Sequence, residues 1–200
     1  KEAFQQVQRY QRDTYHAGEG YFQFVQMFVI SNGVNTEYFA NNSTLNKLFS
    51  FSWTDESNNA VNQLTDFTNT FLNREHLHKM VFRYTVLTTE NVAMILRPYQ
   101  CYAVESIIKT VEEGSGNGYI WHTTGSGKTL TSFKASQILT QRSDIKKVVF
   151  VVDRKDLDTQ TVQEFANFSD DSFEDTSNTA TLVKQLKNDA VPLIVTTIQK

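Results

Sequence analysis

The sequence predicts an α/β protein in two parts, an α+β module over residues 1–88 and the beginning of a parallel-sheet domain with a phosphate-binding loop over residues 89–200. Three observations predict it. A Gly-Ser-Gly-Lys-Thr run at Gly125–Thr129 follows an apolar stretch and precedes a helical pattern, the context a phosphate-binding loop needs. Short continuous apolar runs at Tyr119–Trp121, Val148–Val152 and Leu193–Val195 alternate with helical patterns, as expected of parallel strands covered on both faces. Residues 1–88 differ in texture: they are rich in Asn, Thr and Phe, contain no Pro, and carry a hairpin signal.

The chain opens in a helical pattern that places Gln6 and Tyr10, four residues apart, on one face. On spacing alone, an exposed polar helix accounts for that pair equally well. Phe24–Ile30 and Glu37–Ala40 read as strands, and Asn32-Gly33 between them is a turn signal, so a hairpin is predicted. Helical spacing follows through Leu64, Phe67, Phe71 and Leu72, then through Leu77, Met80, Val81 and Tyr84. Pro98 opens an amphipathic helix carrying Tyr99, Tyr102, Ile107, Ile108 and Val111, which stops at the Gly114–Gly118 turn cluster. Tyr119–Trp121 is predicted as a buried strand feeding the loop, and Leu130, Phe133, Ile138 and Leu139 mark the apolar face of the helix after it. Val152–Lys155 and Thr196–Lys200 leave the same sheet edge as the loop, where ligands of such sheets bind. The acidic stretch 169–178 reads as a solvated connection.

Thr124, Gly125, Ser126, Gly127, Lys128 and Thr129 are the candidate phosphate-binding residues. The two glycines let the backbone turn and aim its N–H groups inward, and the next helix adds the positive end of its dipole. Lys128 is placed to reach the β- and γ-phosphates, and the Thr129 hydroxyl to take one coordination position on Mg²⁺. The expected ligand is Mg-ATP. The common form of the loop has Gly or Ala five residues before its second glycine, and this chain has His122 there.

Composition sets outer bounds. Two hundred residues make one large or two small domains. A net charge of -3 provides no bulk attraction for nucleic acid, so DNA contacts must come from locally placed cations. The single cysteine, Cys101, excludes an internal disulfide, lies in an apolar helical pattern and reads as a core residue, which fits a reducing cytoplasm. There is no apolar run of membrane-spanning length and no signal-peptide core at the N-terminus. His16, His76, His78 and His122 show no metal-ligand spacing. Both ends read as cut, so a fragment of a longer chain is expected.

Taken together, Arg97-Pro98-Tyr99-Gln100, Trp121–Thr129, Val151–Gln160 and Val195–Lys200 resemble, in order, the early motifs of superfamily 2 helicases. More narrowly they resemble the motor-and-endonuclease R subunit of type I restriction-modification enzymes, in which His at the first loop position is usual. Gln6–Asp13 resembles the Gln-x-x-x-Tyr element of that family's nuclease site, and Phe28–Gly33 the strand and turn after it. The resemblance implies that residues 1–88 are the C-terminal part of a restriction-endonuclease-like nuclease domain. Residues 89–200 would be the N-terminal part of the first RecA-like motor domain.

It further implies an ATP-dependent translocase and endonuclease acting on double-stranded DNA, with a DNA-recognition subunit and a methyltransferase subunit as partners. Gln100 with Arg97 would recognise adenine, an edge that suits an amide able to donate and accept. Arg154, Lys155, Thr197 and Gln199 would hold the DNA backbone, which uncharged donors and cations grip without reading bases; a solvated charged turn is the alternative for Arg154 and Lys155. Catalytic roles would fall to Lys128 and, in the nuclease, to Gln6 and Tyr10, which would orient a metal-bound carboxylate, water or phosphate. The family's nuclease acids are expected before Lys1 and its second ATPase motif beyond Lys200, so no nuclease metal ligand is assigned. Two rival readings stand beside this one: a P-loop enzyme or ATPase with no DNA role, and a non-catalytic scaffold locked by nucleotide.

Overall fold

The structure, a computed structural model, describes residues 1–15, 21–114, 116–153, 163–168, 176 and 178–198. They form two compact units, the first comprising Lys1–Val86 and Val92–Tyr99, the second Leu87–Asn91 and Gln100–Lys200.

In the first unit, α1 (Glu2–Tyr10) runs into a π-helical turn, Gln11–Tyr15. Strands β1 (Met27–Ser31) and β2 (Thr36–Ala40) then pair antiparallel, from Met27 opposite Ala40 to Ser31 opposite Thr36. The expected turn closes this hairpin. The Asn32 side-chain oxygen accepts from the Val34 and Asn35 amides at 3.1 and 2.7 Å, and Gly33 takes φ +91°, a region glycine enters without strain. The first strand begins later than the sequence predicts. Phe24 lies in a 3-10 turn (Tyr21–Phe24), because β2 ends at Ala40 and Asn41 then ties off the ladder, bonding Gln26 O through its amide and Val25 O through its side chain. Phe4 of α1 packs on Phe39, which also meets Phe28.

The remaining core of this unit is aromatic. Helix α2 (Leu64–Thr70) supplies Phe67, and Phe71 follows it. The Phe71 ring lies 4.6 Å from both Tyr38 and Phe67 and 5.2 Å from Trp53. Offset and edge-on rings at such separations each add about 0.5–1.5 kcal/mol beyond the burial of their area. Tyr38, fully buried, satisfies its hydroxyl by donating to Leu96 O at 3.0 Å. Helix α3 (Arg74–His78) is capped by the Asn73 side chain and continues as a π-helical turn, Lys79–Arg83. Strands β3 (Thr85–Leu87) and β4 (Ala93–Ile95) make a second two-stranded sheet.

In the second unit, α4 (Pro98–Glu113) ends at Gly114, which has positive φ, as the turn cluster predicts. Helix α5 (Lys128–Thr140) follows the glycine loop. Strands β5 (Val148–Val152) and β6 (Leu193–Thr197) pair in parallel, from Val148 opposite Leu193 to Val152 opposite Thr197, so the third expected strand runs two residues further than its apolar core. Between them lie a short helix α6 over 163–168 and α7 (Thr179–Lys187), whose N-terminus the Asn178 side chain caps. Phe133 of α5 meets Phe165 of α6 edge-on at 5.3 Å, and Phe165 stacks on Phe150 of β5 at 5.0 Å, a chain of rings that seats α5 beside the parallel sheet. Arg142 ties the C-terminal end of α5 to Glu112 of α4 while chelating Asp144 through two nitrogens at 3.0 Å. Solvent screens such exposed pairs, which orient the two helices more than they stabilise them. Cys101 is buried, as expected of a core residue.

One expected strand does not form. Residues Tyr119–Trp121 carry no strand structure, and Tyr119 and Trp121 are 87% and 88% exposed. A strand exists only through a hydrogen-bonding neighbour, and the ladder of β5 is with β6. The apolar composition of 119–121 is therefore real, but the strand and its burial are not present. No helix among the described residues is long and apolar enough to cross a membrane.

Candidate functional site

The Thr123–Thr129 segment is a compact bend. Gly125 and Gly127 take φ +77° and +78°, the left-handed region in which a side chain strains the backbone. Thr123 is the hub of the bend, a role its sequence position did not reveal. Its carbonyl accepts from the Ser126 hydroxyl at 2.8 Å and from the Lys128 ammonium at 3.0 Å, so Lys128 folds back across the loop instead of extending along α5.

Helix α5 starts at Lys128 with Gly127 as its N-cap and no side-chain cap. The first amides of a helix have no intrahelical acceptor, and here no cap supplies one. Those amides and the helix dipole converge where Lys128 crosses the bend, a combination suited to an anion with several oxygens. The fit of the loop to a polyphosphate rests on this donor set. Farther along α5, the Thr131 hydroxyl donates to Gly127 O at 3.1 Å and fixes the junction of loop and helix.

Gln100 closes the other side of the loop. Only 4% exposed, it donates from Nε2 to Ser126 O at 3.0 Å. A methyl group built at Gly127 would stand 2.4 Å from that nitrogen, so a side chain there would displace the Gln100 amide as well as strain the dihedral. His122, at the head of the loop, is held below the ordinary histidine range first by burial and then by the Lys128 charge, so its imidazole is neutral at neutral pH. It adds no charge of its own beside Lys128.

The other sequence-selected residues are placed as follows. Arg97, in the first unit, lies 4.8 Å above the Phe51 ring and donates to the Tyr99 hydroxyl at 3.4 Å. Gln6 donates to the Tyr10 hydroxyl at 2.6 Å, so the two side chains share one face of α1 and touch. Thr197 ends β6 with its side chain 2% exposed, and its hydroxyl has no hydrogen-bond partner among the described residues. Thr124 and Thr129 stand on the loop and in the first turn of α5. Arg154, Lys155 and Gln199 lie outside the described residues. No cluster of three His, Cys, Asp or Glu able to hold a metal occurs among the described residues.

Comparison with known proteins places these features in context. Residues 99–200 match the family model described as the SWI2/SNF2 ATPase, and residues 1–47 match the type I restriction enzyme R protein N terminus. The whole chain is 56% identical to the endonuclease subunit of the type I restriction enzyme SsaAORF53P from Staphylococcus saprophyticus, and 54% identical to that of SauCOLORF180P from Staphylococcus aureus. It spans 21% of the length of each. A Mycoplasma pneumoniae protein named for the C-terminal part of the MpnIIP type I restriction endonuclease subunit is 41% identical over 160 residues, covering 74% of this chain and 78% of that protein.

Proposed function

Because this chain belongs to the family of type I restriction enzyme endonuclease subunits, with its residues 99–200 in the SWI2/SNF2 ATPase family, we propose that it is the ATP-binding segment of a double-stranded DNA translocase and endonuclease. The observation that carries the reading is the uncapped start of α5 behind a two-glycine bend, with Lys128 folded over it. The loop amides and Lys128 bind the triphosphate of ATP. To do so Lys128 exchanges the Thr123 carbonyl for β- and γ-phosphate oxygens, which are stronger, charged acceptors. Thr129 would hold Mg²⁺, which when bound offsets charge on the phosphates.

In this reading the Gln100 amide leaves Ser126 O to meet the adenine edge, with Arg97 contributing from its place before α4. Since phosphoryl transfer depends on positioning and electrostatics, the contribution of Lys128 to catalysis is to hold and neutralise the reacting phosphate. Residues 89–200 then form the N-terminal part of a RecA-like motor domain, and residues 1–88 the C-terminal part of a nuclease domain in which Gln6 and Tyr10 act as one hydrogen-bonded pair on α1. Arg154, Lys155 and Gln199 are assigned to the DNA backbone, together with Thr197, whose buried hydroxyl would have to come to the surface to take part; a specificity subunit and a methyltransferase subunit are the partners. Cytoplasmic DNA is the natural substrate of such an assembly.

The test is ATP hydrolysis by the full-length protein with and without duplex DNA. The reading predicts hydrolysis stimulated by DNA and reduced at least a hundredfold by Lys128→Ala, the scale of losing one charge-stabilising donor. Hydrolysis indifferent to DNA would favour a P-loop enzyme without a DNA role. Binding without turnover would favour a nucleotide-locked scaffold.

A further inference from the structure

The α3 helix and its π-helical continuation carry a cationic, aromatic stripe that the ATP site does not use. Arg74 and His78 are exposed, and Phe82 is 70% exposed although it is a large apolar residue in a folded segment. The Phe82 ring lies 4.7 Å from the His78 ring, tilted by 38°. The break in helix type brings these residues into line. The four steps from Arg74 to His78 along the α-helix rotate by more than one turn, whereas the four steps from His78 to Phe82 along the wider π-helix rotate by less than one. The two drifts offset, and Arg74, His78 and Phe82 fall on a single stripe. Beside it lies an open hollow of about 510 Å³ lined by Asn73, Arg74, Glu75 and His78.

The charge of this stripe selects among occupants. Residues 1–86 and 92–99 hold eight Lys and Arg against eight Asp and Glu, yet three of those cations and only one of the acids fall within 74–83. The one acid, Glu75, is drawn toward Lys79 at 3.6 Å, leaving Arg74 as an exposed cation. With Lys79 drawn to Glu75 and the Nε of Arg83 buried, the exposed positive charge beside this pair of flat rings is that of Arg74. Cations take phosphates, and a ring pair offers a stacking platform for a sugar or base face.

We propose that the Arg74–His78–Phe82 stripe is a contact for the backbone of a DNA strand, with Arg74 on a phosphate and the His78–Phe82 rings against the adjoining nucleoside. This rests on the DNA-handling reading above and assigns that partner to a surface of the first unit. It uses none of the residues of the nucleotide site.

The experiment is fluorescence anisotropy of the full-length protein without ATP, titrated with labelled duplex and single-stranded DNA over a range of salt. A second arm places a photoreactive benzophenone amino acid at position 82. Arg74→Gln should weaken binding on the order of threefold to tenfold and flatten the salt dependence by about one counterion. Phe82→Ala should weaken it by a similar factor with the salt dependence unchanged, and Phe82→Tyr should retain affinity, which separates stacking from a folding defect. The benzophenone should crosslink DNA, and Arg74→Glu should suppress that crosslink. Wild-type DNA binding that both variants leave intact, with no crosslink, would overturn the assignment while sparing the motor reading. Crosslinking to another subunit instead of to DNA would overturn it in favour of a protein interface. Failure of the wild-type protein to bind DNA at all would remove both.

Discussion

Gly127 concentrates the logic of the proposed nucleotide site in one residue. Its φ of +78° disfavours any side chain, by roughly 1–2 kcal/mol for alanine, and its missing Cβ makes room for Gln100 Nε2. Gly127→Ala is therefore expected to lower ATP affinity at least tenfold in a nucleotide titration. Adding Gln100→Ala would relieve the overlap but not the dihedral, so it cannot restore the wild-type loop; unchanged affinity in the single variant would contradict this account. The glycines, Lys128 and Thr129 were legible in the sequence because a tight phosphate loop demands those residue types at that spacing. The Thr123 carbonyl was not, since a backbone oxygen leaves no mark on residue identity. Nor did the spacing of Gln6 and Tyr10 reveal that their side chains would bond to each other at 2.6 Å.

At the scale of elements, α3 shows how packing couples a helix to pH. His76 sits edge-on to Trp53 at 4.6 Å and beside Phe71 at 5.2 Å, with its Nε2 buried and without a hydrogen-bond partner among the described residues. Burial first, and the Lys79 charge second, depress its pKa below the ordinary 6.5. Above that value the imidazole is neutral whether the chain is folded or not, and stability is full. As pH falls below it, the unfolded chain binds a proton that the folded one resists, so stability declines until the depressed folded value is reached. Hydrogen exchange over α2 and α3, corrected for intrinsic rates, should therefore lose protection as pH falls below the ordinary histidine value of 6.5. His76→Phe should flatten that loss; an unchanged pH response in the variant would rule out His76 as its source. Element prediction succeeded where apolar residues recur at helical spacing, as in α4, or where a turn residue decides the outcome, as at Asn32-Gly33; α5 forms where expected but buries Thr131, Lys134 and Ser136 along with its apolar residues, so no single apolar face defines it. It failed at Tyr119–Trp121 because pairing depends on a neighbour, not on composition. The π-helical turn at Lys79–Arg83 escaped it because Leu77, Met80, Val81 and Tyr84 satisfy ordinary helical spacing equally well.

For the molecule as a whole, the division of labour follows chemistry. One unit is closed by an aromatic core around Phe71 and carries the Gln6–Tyr10 pair and the Arg74–Phe82 stripe; the other seats the two-glycine loop and α5 beside a parallel sheet through Phe133, Phe165 and Phe150. With a net charge of -3, these 200 residues offer no bulk attraction for DNA, so the proposed DNA contact must rest on local cations and should be weakened by salt. All of it turns on whether the bend over Gly125–Thr129 binds a triphosphate. The most direct measurement is equilibrium titration of the full-length protein, wild type and Lys128→Ala, with a fluorescent ATP analogue in Mg²⁺. The account predicts saturable binding by the wild type that ATP displaces, and affinity at least tenfold weaker in the variant. Equal binding by the two proteins would contradict it.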